Sequence, residues 1–354
     1  MKQMMDTARA LVASGKGLLA MDESTHTCNQ RFASFGIPQT PEMRRAYREL
    51  LLTAPGLSEC ISGVILFDET IRQTQADGTP FVQLANDVGL IVGIKVDIGA
   101  KALAAHPGEK VTEGLDGLRE RLHGYAEMGA RFAKWRGVIT IETMRLPTPA
   151  CIDANAHALA RYAALSQEVG LVPIIEPEVL MQGAHTQARC QAVTEKVLRC
   201  VFGHLALQGV VLEAMLLKPN MVIAGLSCPT QNSAHEVAEA SMQCLLRAVP
   251  AAVAGITFLS GGQSGELASS RLNAMHACHG KTGKPPELPW PLSFSFARAI
   301  QHPALEIWAG QASNRAAAQA ALLHRARCNS AALSGRYSAE MENDTANELA
   351  KAAT

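Results

Sequence analysis

Eight short apolar runs alternate along the chain with longer amphipathic stretches, and this alternation constrains the fold more than any other feature. The runs occupy residues 17–22, 61–67, 90–96, 133–141, 171–175, 210–217, 255–259 and 291–296. Helical spacing of apolar residues marks stretches that include 40–53, 115–129, 154–169, 187–204, 233–249 and 266–277. Continuously apolar strands that alternate with helices predict βα units around a parallel sheet. A count of eight favours a closed (β/α)8 TIM barrel of the α/β class.

The rest of the chain is consistent with one domain. Its 354 residues suit a single barrel, and neither a Gly-rich dinucleotide fingerprint nor a P-loop follows any run. Residues 280–289 are predicted to form a loop because of their Gly and Pro content. Residues 334–354 are polar and acidic. We therefore predict a barrel over residues 1–333 and a flexible C-terminal tail over residues 334–354.

Charge and cysteine content exclude several classes of partner. Lys plus Arg equals Asp plus Glu at 32 each, so the chain lacks the basic surplus of a nucleic-acid-binding protein. The chain has no uninterrupted apolar segment of membrane-spanning length and no signal-peptide pattern, so no membrane association is predicted. Nine scattered cysteines without a C-x-x-C motif indicate reduced thiols, and hence a cytoplasmic location.

Charged residues repeatedly end or follow the apolar runs. In a barrel, the carboxyl ends of the strands surround one mouth, where catalytic groups lie. Each of these charges alone is typical of a solvated strand end, but together they predict one polar site, because burying so many charges without a purpose is costly. The residues are Asp22, Glu69, Lys95, Lys134, Arg136, Glu176, Glu178, Lys218 and Arg298, with a turn formed by Ser260, Gly261 and Gly262.

Lys218 is the strongest candidate for a nucleophile. It follows the apolar residues 215–217 and precedes Pro219, so its amine is predicted to emerge from a dry strand end. Desolvation lowers the pKa of a lysine, and a nearby cation such as Lys134 or Arg136 lowers it further. A neutral amine can attack a carbonyl carbon and form a Schiff base. A lysine that extends from a strand end to solvent is the alternative interpretation.

Two carboxylates flank Pro177 in the segment VPIIEPE. Strand alternation is expected to send Glu176 inward as an acid/base and Glu178 to the opposite side, in a structural or orienting role.

Two other segments are candidate anion sites. Ser24 and Thr27 follow Asp22, and their hydroxyls can bind phosphate oxygens, cap a helix, or do both. The Ser-Gly-Gly turn at residues 260–262 can present backbone N–H groups to an anion, with a plain turn as the alternative.

One histidine pair is a weak candidate for a metal site. His276 and His279 lie near the end of a predicted helix, without a third ligand at an evident spacing. We interpret them as surface histidines and predict no metal.

The candidate residues occur in segments that resemble class I (Schiff-base) fructose-1,6-bisphosphate aldolases over residues 6–335. The matching segments include GKGLLAMDEST, FDETIRQ, GIKVD, FAKWR, VPIIEPE, LEAMLLKPNMV, FLSGGQS and LSFSFARA. The family fold is a (β/α)8 barrel. The resemblance implies a metal-independent lyase without a cofactor, active in glycolysis and gluconeogenesis. Such an enzyme reversibly cleaves fructose 1,6-bisphosphate to dihydroxyacetone phosphate and glyceraldehyde 3-phosphate. The family is commonly homotetrameric.

The resemblance also implies roles for individual residues. Lys218 forms the Schiff base, Glu176 acts as general acid/base, and Lys134 assists that step. Asp22 takes the proton from the C4 hydroxyl. We also include Glu178 in the catalytic set, in the structural or orienting role given above. The residues around the C1 phosphate are Ser260, Gly261, Gly262 and Arg298. Those around the C6 phosphate are Ser24, Thr27, Lys95 and Arg136, with Arg31 as a further binding arginine.

Two departures from the family pattern leave questions open. The only tyrosine of the predicted tail is Tyr337, whereas many animal relatives end in a tyrosine that assists enamine protonation. His26 stands where the family usually has glycine and could alter the C6 phosphate pocket. The alternatives are a preference for sedoheptulose 1,7-bisphosphate or fructose 1-phosphate, a metal-dependent aldolase, and a non-catalytic scaffold that binds a protein partner.

Overall fold

Eight parallel strands close into a barrel in the computed structural model of the chain, which describes residues 1–75, 77–142, 145–277 and 288–343. The strands in chain order are β1 (Gly17–Ala20), β2 (Ile61–Leu66), β3 (Ile91–Lys95), β4 (Ala100–Ala102), β5 (Lys110–Thr112), β6 (Phe132–Ile139), β7 (Val172–Val179), β8 (Leu216–Leu217), β9 (Gly255–Phe258) and β10 (Leu292–Phe296). Around the barrel the order is β1, β2, β3, β6, β7, β8, β9 and β10, and β10 pairs with β1. The predicted (β/α)8 barrel is confirmed.

Helices surround the strands at the predicted places. In chain order they are α1 (Lys2–Leu11), α2 (Thr25–Ala33), α3 (Pro41–Leu52), α4 (Leu57–Cys60), α5 (Asp68–Ile71), α6 (Phe81–Asp87), α7 (Leu118–Glu127), α8 (Pro149–Glu168), α9 (Gln187–Leu207), α10 (Ala234–Ala248), α11 (Gly265–Ala277), α12 (Arg298–Trp308) and α13 (Arg315–Ala332). The six predicted amphipathic stretches correspond to α3 and α7–α11. Within the described residues, no helix is both long enough and apolar enough to cross a bilayer.

The apolar core has two parts. Alternate strand residues such as Leu18, Ile65, Phe132 and Val172 form a cluster inside the barrel, and α1 packs against this cluster. The residues between them point outward and form a larger cluster with the surrounding helices; for example, Trp135 stacks on Tyr162 of α8. Because successive strand residues face opposite sides, this arrangement requires strands that are apolar on both faces.

One apolar run contains less strand than its sequence predicts. Of residues 210–217, only Leu216–Leu217 form β8, and Leu212–Ala214 form a 3-10 turn before it. The Gln167 side chain of α8 accepts a hydrogen bond from the Val211 amide and donates to carbonyl oxygens of this segment. The backbone groups of the segment therefore bond to a side chain instead of to a neighbouring strand.

The C-terminal segment begins with residues that are held against the barrel. The Tyr337 amide donates to the side chain of Asn273 on α11, and the Tyr337 hydroxyl donates to Glu342. Glu342 also forms an ion pair of 2.5 Å with Arg325 of α13. Residues 344–354 of the predicted tail, and residues 280–287 of the predicted loop, lie outside the described residues.

Candidate active site

One cavity of about 780 Å³ lies at the carboxyl ends of the barrel strands. Of the residues that the sequence predicts for the site, all but Glu69 line it. The lining residues among them are Asp22, Ser24, Thr27, Arg31, Lys95, Lys134, Arg136, Glu176, Glu178, Lys218, Ser260, Gly261, Gly262 and Arg298. The prediction for Glu69 is wrong, because Glu69 lies on α5 and its carboxylate instead accepts two hydrogen bonds from the Arg44 guanidinium. The barrel therefore brings together side chains that lie up to 276 positions apart in the sequence (298 − 22).

Strand alternation explains why these charges meet inside the barrel. On β6, Phe132 belongs to the interior cluster, so Lys134 and Arg136, which are two and four residues further on, face the same side. On β7, Glu176 follows the interior residue Ile174 in the same way. The inward-facing residues of β6 and β7 are thus apolar at the beginning of each strand and charged at its carboxyl end, where the cavity opens.

The predicted orientation of Glu178 is wrong. Glu178 is buried and lines the same cavity as Glu176, not the opposite side of the strand. The physical reason is the period of two, because residues i and i+2 of a strand point to the same face. Its carboxylate accepts a hydrogen bond from the Arg136 guanidinium. This contact agrees with an orienting function.

Four buried side chains form a continuous chain of ion pairs in the cavity. The Lys134 ammonium lies 2.6 Å from Oδ2 of Asp22 and 3.1 Å from Oε2 of Glu176. The other oxygen of Glu176, Oε1, lies 3.3 Å from Nζ of Lys218. Two carboxylates thus alternate with two amines in the order Asp22, Lys134, Glu176, Lys218. The alternation offsets the cost of burying the charges.

These contacts set the protonation states of three members of the chain. Burial alone would raise the pKa of Asp22, but Lys134 and Lys218 outweigh it and lower the pKa to about 2. Burial would also raise the pKa of Glu176, but the charges of Lys134 and Lys218 outweigh burial and lower this pKa below its ordinary value. Burial would lower the pKa of Lys134, but Asp22 and Glu176 raise it. At neutral pH both carboxylates are ionised and Lys134 is an ammonium.

The start of α2 forms one polar end of the cavity. Ser24 is the N-cap of α2, and its hydroxyl accepts a hydrogen bond from the Thr27 amide. The two hydroxyls are 3.2 Å apart. Arg31 at the last turn of α2 is held by Oε1 of Glu23, whose second oxygen binds Arg48 of α3. The capping interpretation is confirmed, and both hydroxyls also line the cavity.

The Ser-Gly-Gly turn and Arg298 form a second polar region. Gly261 and Gly262 adopt φ values of +57° and +91°, which side chains rarely adopt. A Cβ at Gly262 would lie 2.7 Å from the Arg298 guanidinium, so only glycine allows this approach. Burial, followed by the nearby charge of Arg31, lowers the pKa of Arg298. A bound anion would compensate this concentration of positive charge.

Two carboxylates that the sequence interpretation missed orient the cationic groups. Glu23 holds Arg31, and Asp97 lies 2.7 Å from the Lys95 ammonium while also accepting a hydrogen bond from the Arg136 amide. Glu23 directly follows Asp22 in the segment MDE, and Asp97 follows Lys95 by two positions in the segment KVD. That proximity is a signal that could have identified them.

Three other residues from the sequence interpretation do not line the cavity. His26 is exposed on α2, and Tyr337 is bound to Glu342. His276 is half-buried, not a surface residue as predicted, and burial lowers its pKa to about 4. His279 lies outside the described residues. In the described part of the chain, the groups of His, Cys and acidic side chains close enough to share a metal ion lie away from the cavity.

Comparisons with known proteins agree with this geometry. The family model described as fructose-bisphosphate aldolase class-I matches residues 3–353. The chain belongs to the class I fructose-bisphosphate aldolase family. A probable fructose-bisphosphate aldolase class 1 of Xanthomonas axonopodis pv. citri is 55% identical over 337 residues, which cover 95% of this chain and 98% of that protein. Aldolase C-B of Danio rerio is 49% identical, with coverages of 95% and 91%.

The fold of a solved family member is also similar. The aldolase of Plasmodium falciparum, solved in complex with TRAP and a small-molecule inhibitor, superimposes with a TM-score of 0.92 at 46% identity, covering 95% of both chains. As a member of this aldolase family, the chain is a lyase with the Schiff-base chemistry of class I, which is independent of metal. Sugar phosphates are the class of substrate that the family implies.

Proposed function

We propose that the cavity cleaves fructose 1,6-bisphosphate with Lys218 as the nucleophile. The observation that carries this proposal is the buried chain of ion pairs, in which Glu176 contacts both Lys218 and Lys134. A Schiff-base enzyme needs an amine that can lose its proton and an acid that can remove a hydroxide as water. Glu176 is close enough to Lys218 to serve both needs.

The first step is formation of the Schiff base. A proton passes from Nζ of Lys218 to Oε1 of Glu176, over the 3.3 Å that separates them. The neutral amine attacks the C2 carbonyl of the sugar and forms a carbinolamine. Glu176 then returns the proton to the C2 hydroxyl, which leaves as water, and an iminium remains on Lys218. Lys134 stays an ammonium throughout and stabilises the carboxylate that Glu176 regains.

The second step is cleavage of the C3–C4 bond. The Asp22 carboxylate accepts the proton of the C4 hydroxyl, and the C3–C4 electron pair moves into the iminium, giving an enamine. Glyceraldehyde 3-phosphate leaves first. A proton from solvent then adds to C3 of the enamine while Asp22 returns its proton to solvent, and water hydrolyses the resulting iminium, which releases dihydroxyacetone phosphate and restores Lys218 and Asp22. The iminium is the electron sink, so the cleavage step needs no metal ion.

The two polar regions of the cavity suit the two phosphates. We assign the C1 phosphate to Ser260, Gly261, Gly262 and Arg298, and the C6 phosphate to Ser24, Thr27, Lys95 and Arg136, with Arg31 as an additional arginine. The positive charge of Arg31 close to Arg298 supports an anion near the Ser-Gly-Gly turn, the site assigned to the C1 phosphate. Glu178 holds the Arg136 guanidinium in position for its phosphate.

We further propose a cytoplasmic homotetramer. A reducing compartment suits the free thiols of Cys28, Cys60, Cys151, Cys190, Cys200, Cys228 and Cys244. The resemblance to the aldolase family supports four subunits. Light scattering of the purified protein tests this number: we expect a mass four times that of the chain, and a monomer would contradict it.

The activity is tested by comparing three sugars in the presence of EDTA. We expect fructose 1,6-bisphosphate to have a higher kcat/KM than sedoheptulose 1,7-bisphosphate or fructose 1-phosphate, with no loss on chelation. Loss of activity in EDTA would contradict metal independence. A lower kcat/KM for fructose 1,6-bisphosphate than for either other sugar would contradict the proposed substrate.

Two arginine variants test the phosphate assignment. Because fructose 1-phosphate lacks the C6 phosphate, Arg136→Ala should lower kcat/KM for fructose 1,6-bisphosphate by about 10- to 100-fold, the effect of one charged hydrogen bond, and leave fructose 1-phosphate nearly unchanged. Arg298→Ala is the matched control and should affect both sugars. Equal losses for both sugars with Arg136→Ala would contradict the assignment.

A further inference from the structure

The surface between α8 and α9 carries a group of metal-ligating side chains away from the active-site cavity. Asp153 and His157 are four residues apart on α8, and Cys200 and His204 are four residues apart on α9. Side chains at positions i and i+4 of a helix lie on the same face, one turn apart. Both pairs face each other across the contact between the two helices, as the following contacts show.

The side chains are already close to a coordination geometry. The ligand atoms of Asp153, Cys200 and His204 all lie within 4.8 Å of one another. Nε2 of His204 is 2.9 Å from Oδ1 of Asp153, and the His157 ring packs against the His204 ring edge-on at a centroid distance of 5.8 Å. Ligands at 2.0–2.3 Å from a tetrahedral metal ion are about 3.3–3.8 Å apart. Small side-chain rotations therefore suffice to bring three ligands to one ion.

The chemistry of this donor set selects the ion. A thiol, an imidazole and a carboxylate are ligands of Zn²⁺, whereas Mg²⁺ and Ca²⁺ prefer sets made of oxygen. Burial, with the charge of Asp153 beside it, raises the pKa of the Cys200 thiol, so without a metal the thiol is protonated at neutral pH. A bound Zn²⁺ would displace that proton to solvent.

A second group of a histidine, a cysteine and a carboxylate is less suited to a metal ion. His324, Cys328 and Glu342 also have ligand atoms within 4.8 Å of one another. Glu342, however, forms an ion pair of 2.5 Å with the Arg325 guanidinium and accepts a hydrogen bond from Tyr337. A divalent cation there would be repelled by Arg325. At the first group, Asp153 is two-thirds exposed, so its carboxylate is accessible to an incoming ion.

We propose that Asp153, Cys200 and His204 bind one Zn²⁺ ion at the surface between α8 and α9, with the fourth position facing His157. These helices precede and follow β7, the strand that carries Glu176 and Glu178. The ion cross-links them and stabilises the folded chain, because it binds the native arrangement and not the unfolded one. It takes no part in the aldol chemistry.

The test uses the full-length protein after treatment with EDTA and removal of the chelator. Co²⁺ is added as a spectroscopic probe and Zn²⁺ for calorimetry and thermal unfolding. The site variants are Cys200→Ser and His204→Ala. The matched control is His235→Ala, because His235 lies 3.7 Å from Glu239 at the same i and i+4 spacing on α10 but has no thiol beside it. Aldolase activity without metal shows that each variant is folded.

We expect one Zn²⁺ per chain, a thiolate-to-Co²⁺ charge-transfer band, and a rise of a few degrees in Tm for the wild type and His235→Ala. Cys200→Ser should abolish the band, and both site variants should weaken Zn²⁺ binding at least tenfold and lose the rise in Tm. Failure of the wild type to bind Zn²⁺ at micromolar concentration would overturn the proposal. Zn²⁺ binding that is equally strong in Cys200→Ser and His204→Ala would overturn it as well.

Discussion

At the scale of single residues, the central feature is the alternation of charge from Asp22 through Lys134 and Glu176 to Lys218. All four side chains are at least nine-tenths buried, so each would be strongly destabilising without its partners. Because every member contacts a neighbour of opposite charge, a proton can pass from Lys218 to Glu176 without leaving an isolated charge. The arrangement is therefore a structural network and, under the proposed mechanism, a route for proton transfer.

Glu176→Gln tests the proton-transfer function. The amide cannot accept the proton of Lys218 or donate one to the leaving hydroxyl, so we expect kcat to fall by about 10²- to 10⁴-fold. The rate of borohydride-trapped adduct formation should fall in parallel. Glu178→Gln is the matched control, since Glu178 contacts Arg136 instead: its trapping rate should stay within a few-fold of the wild type while KM rises. Equal trapping rates for Glu176→Gln and the wild type would contradict the assigned function.

Because Asp22 is ionised in the folded protein, we expect part of the free energy of unfolding to depend on pH in the acid range. Its pKa in the folded protein is about 2, below the ordinary value of 3.8. Between these values the unfolded chain binds more protons than the folded one, so the stabilisation is complete above about pH 4 and is lost as the pH falls towards 2. Between these pH values, the free energy of unfolding measured in urea should fall by about 2 kcal/mol more for the wild type than for Asp22→Asn. Parallel pH profiles for the two proteins would contradict this.

Most of the site could be predicted from residue types at strand ends, and the failures have simple causes. Glu178 was assigned to the wrong face although the period of two places it beside Glu176. Glu23 and Asp97 were missed because a carboxylate next to a predicted site residue is also typical of a solvated loop. Which cation a carboxylate binds depends on contacts such as that from Glu23 to Arg48 on another helix, and the sequence does not encode such contacts locally.

At the scale of elements, the start of α2 combines a structural function with a proposed binding function. Ser24 caps α2 and lines the cavity, whereas Thr40 caps α3 through the same kind of bond, in which its hydroxyl accepts from the Met43 amide. Loss of an N-cap typically costs about 1 kcal/mol in the free energy of unfolding.

Ser24→Ala and Thr40→Ala separate these two functions. Both variants should be destabilised by about 1 kcal/mol in urea unfolding, because each loses one capping bond. Only Ser24→Ala should raise KM for fructose 1,6-bisphosphate, since only Ser24 is assigned to a phosphate. An unchanged KM in Ser24→Ala would mean that the hydroxyl is a cap alone.

The strands need glycine where an aromatic ring fills the barrel interior. A Cβ at Gly93 of β3 would lie 2.2 Å from the Phe132 ring, so Gly93→Ala should destabilise the fold by about 1–3 kcal/mol. Gly124 of α7 has open space around its Cβ position, and Gly124→Ala should instead stabilise by about 0.5–1 kcal/mol. Urea unfolding of both variants measures the difference. Destabilisation of equal size in the two variants would contradict the interior packing.

The strands of the barrel could all be predicted from sequence because both of their faces are buried. The two short strands β4 and β5 form a separate antiparallel pair and were not predicted. Ala100–Ala102 is only partly buried or exposed, so its sequence carries no run of apolar residues. The shortening of β8 was equally hidden, because it depends on the side chain of Gln167 on α8.

At the scale of the whole molecule, the net charge is zero, yet the cavity collects Arg31, Arg136 and Arg298. These positive charges lie close together because the carboxyl ends of all the barrel strands surround the same mouth. Among the residues that the structure describes, the lining holds eight Lys and Arg side chains against six Asp and Glu side chains, so under the proposed function this local surplus of positive charge, and not the overall charge, attracts a sugar phosphate. The same topology brings the amine of Lys218, directly after β8, into contact with Glu176 of β7, which also contacts Lys134 of β6.

The most direct test of this account is the location of the covalent intermediate. The protein is incubated with dihydroxyacetone phosphate and EDTA, reduced with sodium borohydride, and digested for peptide mass spectrometry. Reduction converts an iminium into a stable secondary amine, which marks the lysine that formed it. We predict one adduct per chain, on Lys218. An adduct on Lys134, or no adduct from a protein that still cleaves fructose 1,6-bisphosphate, would contradict the assigned mechanism.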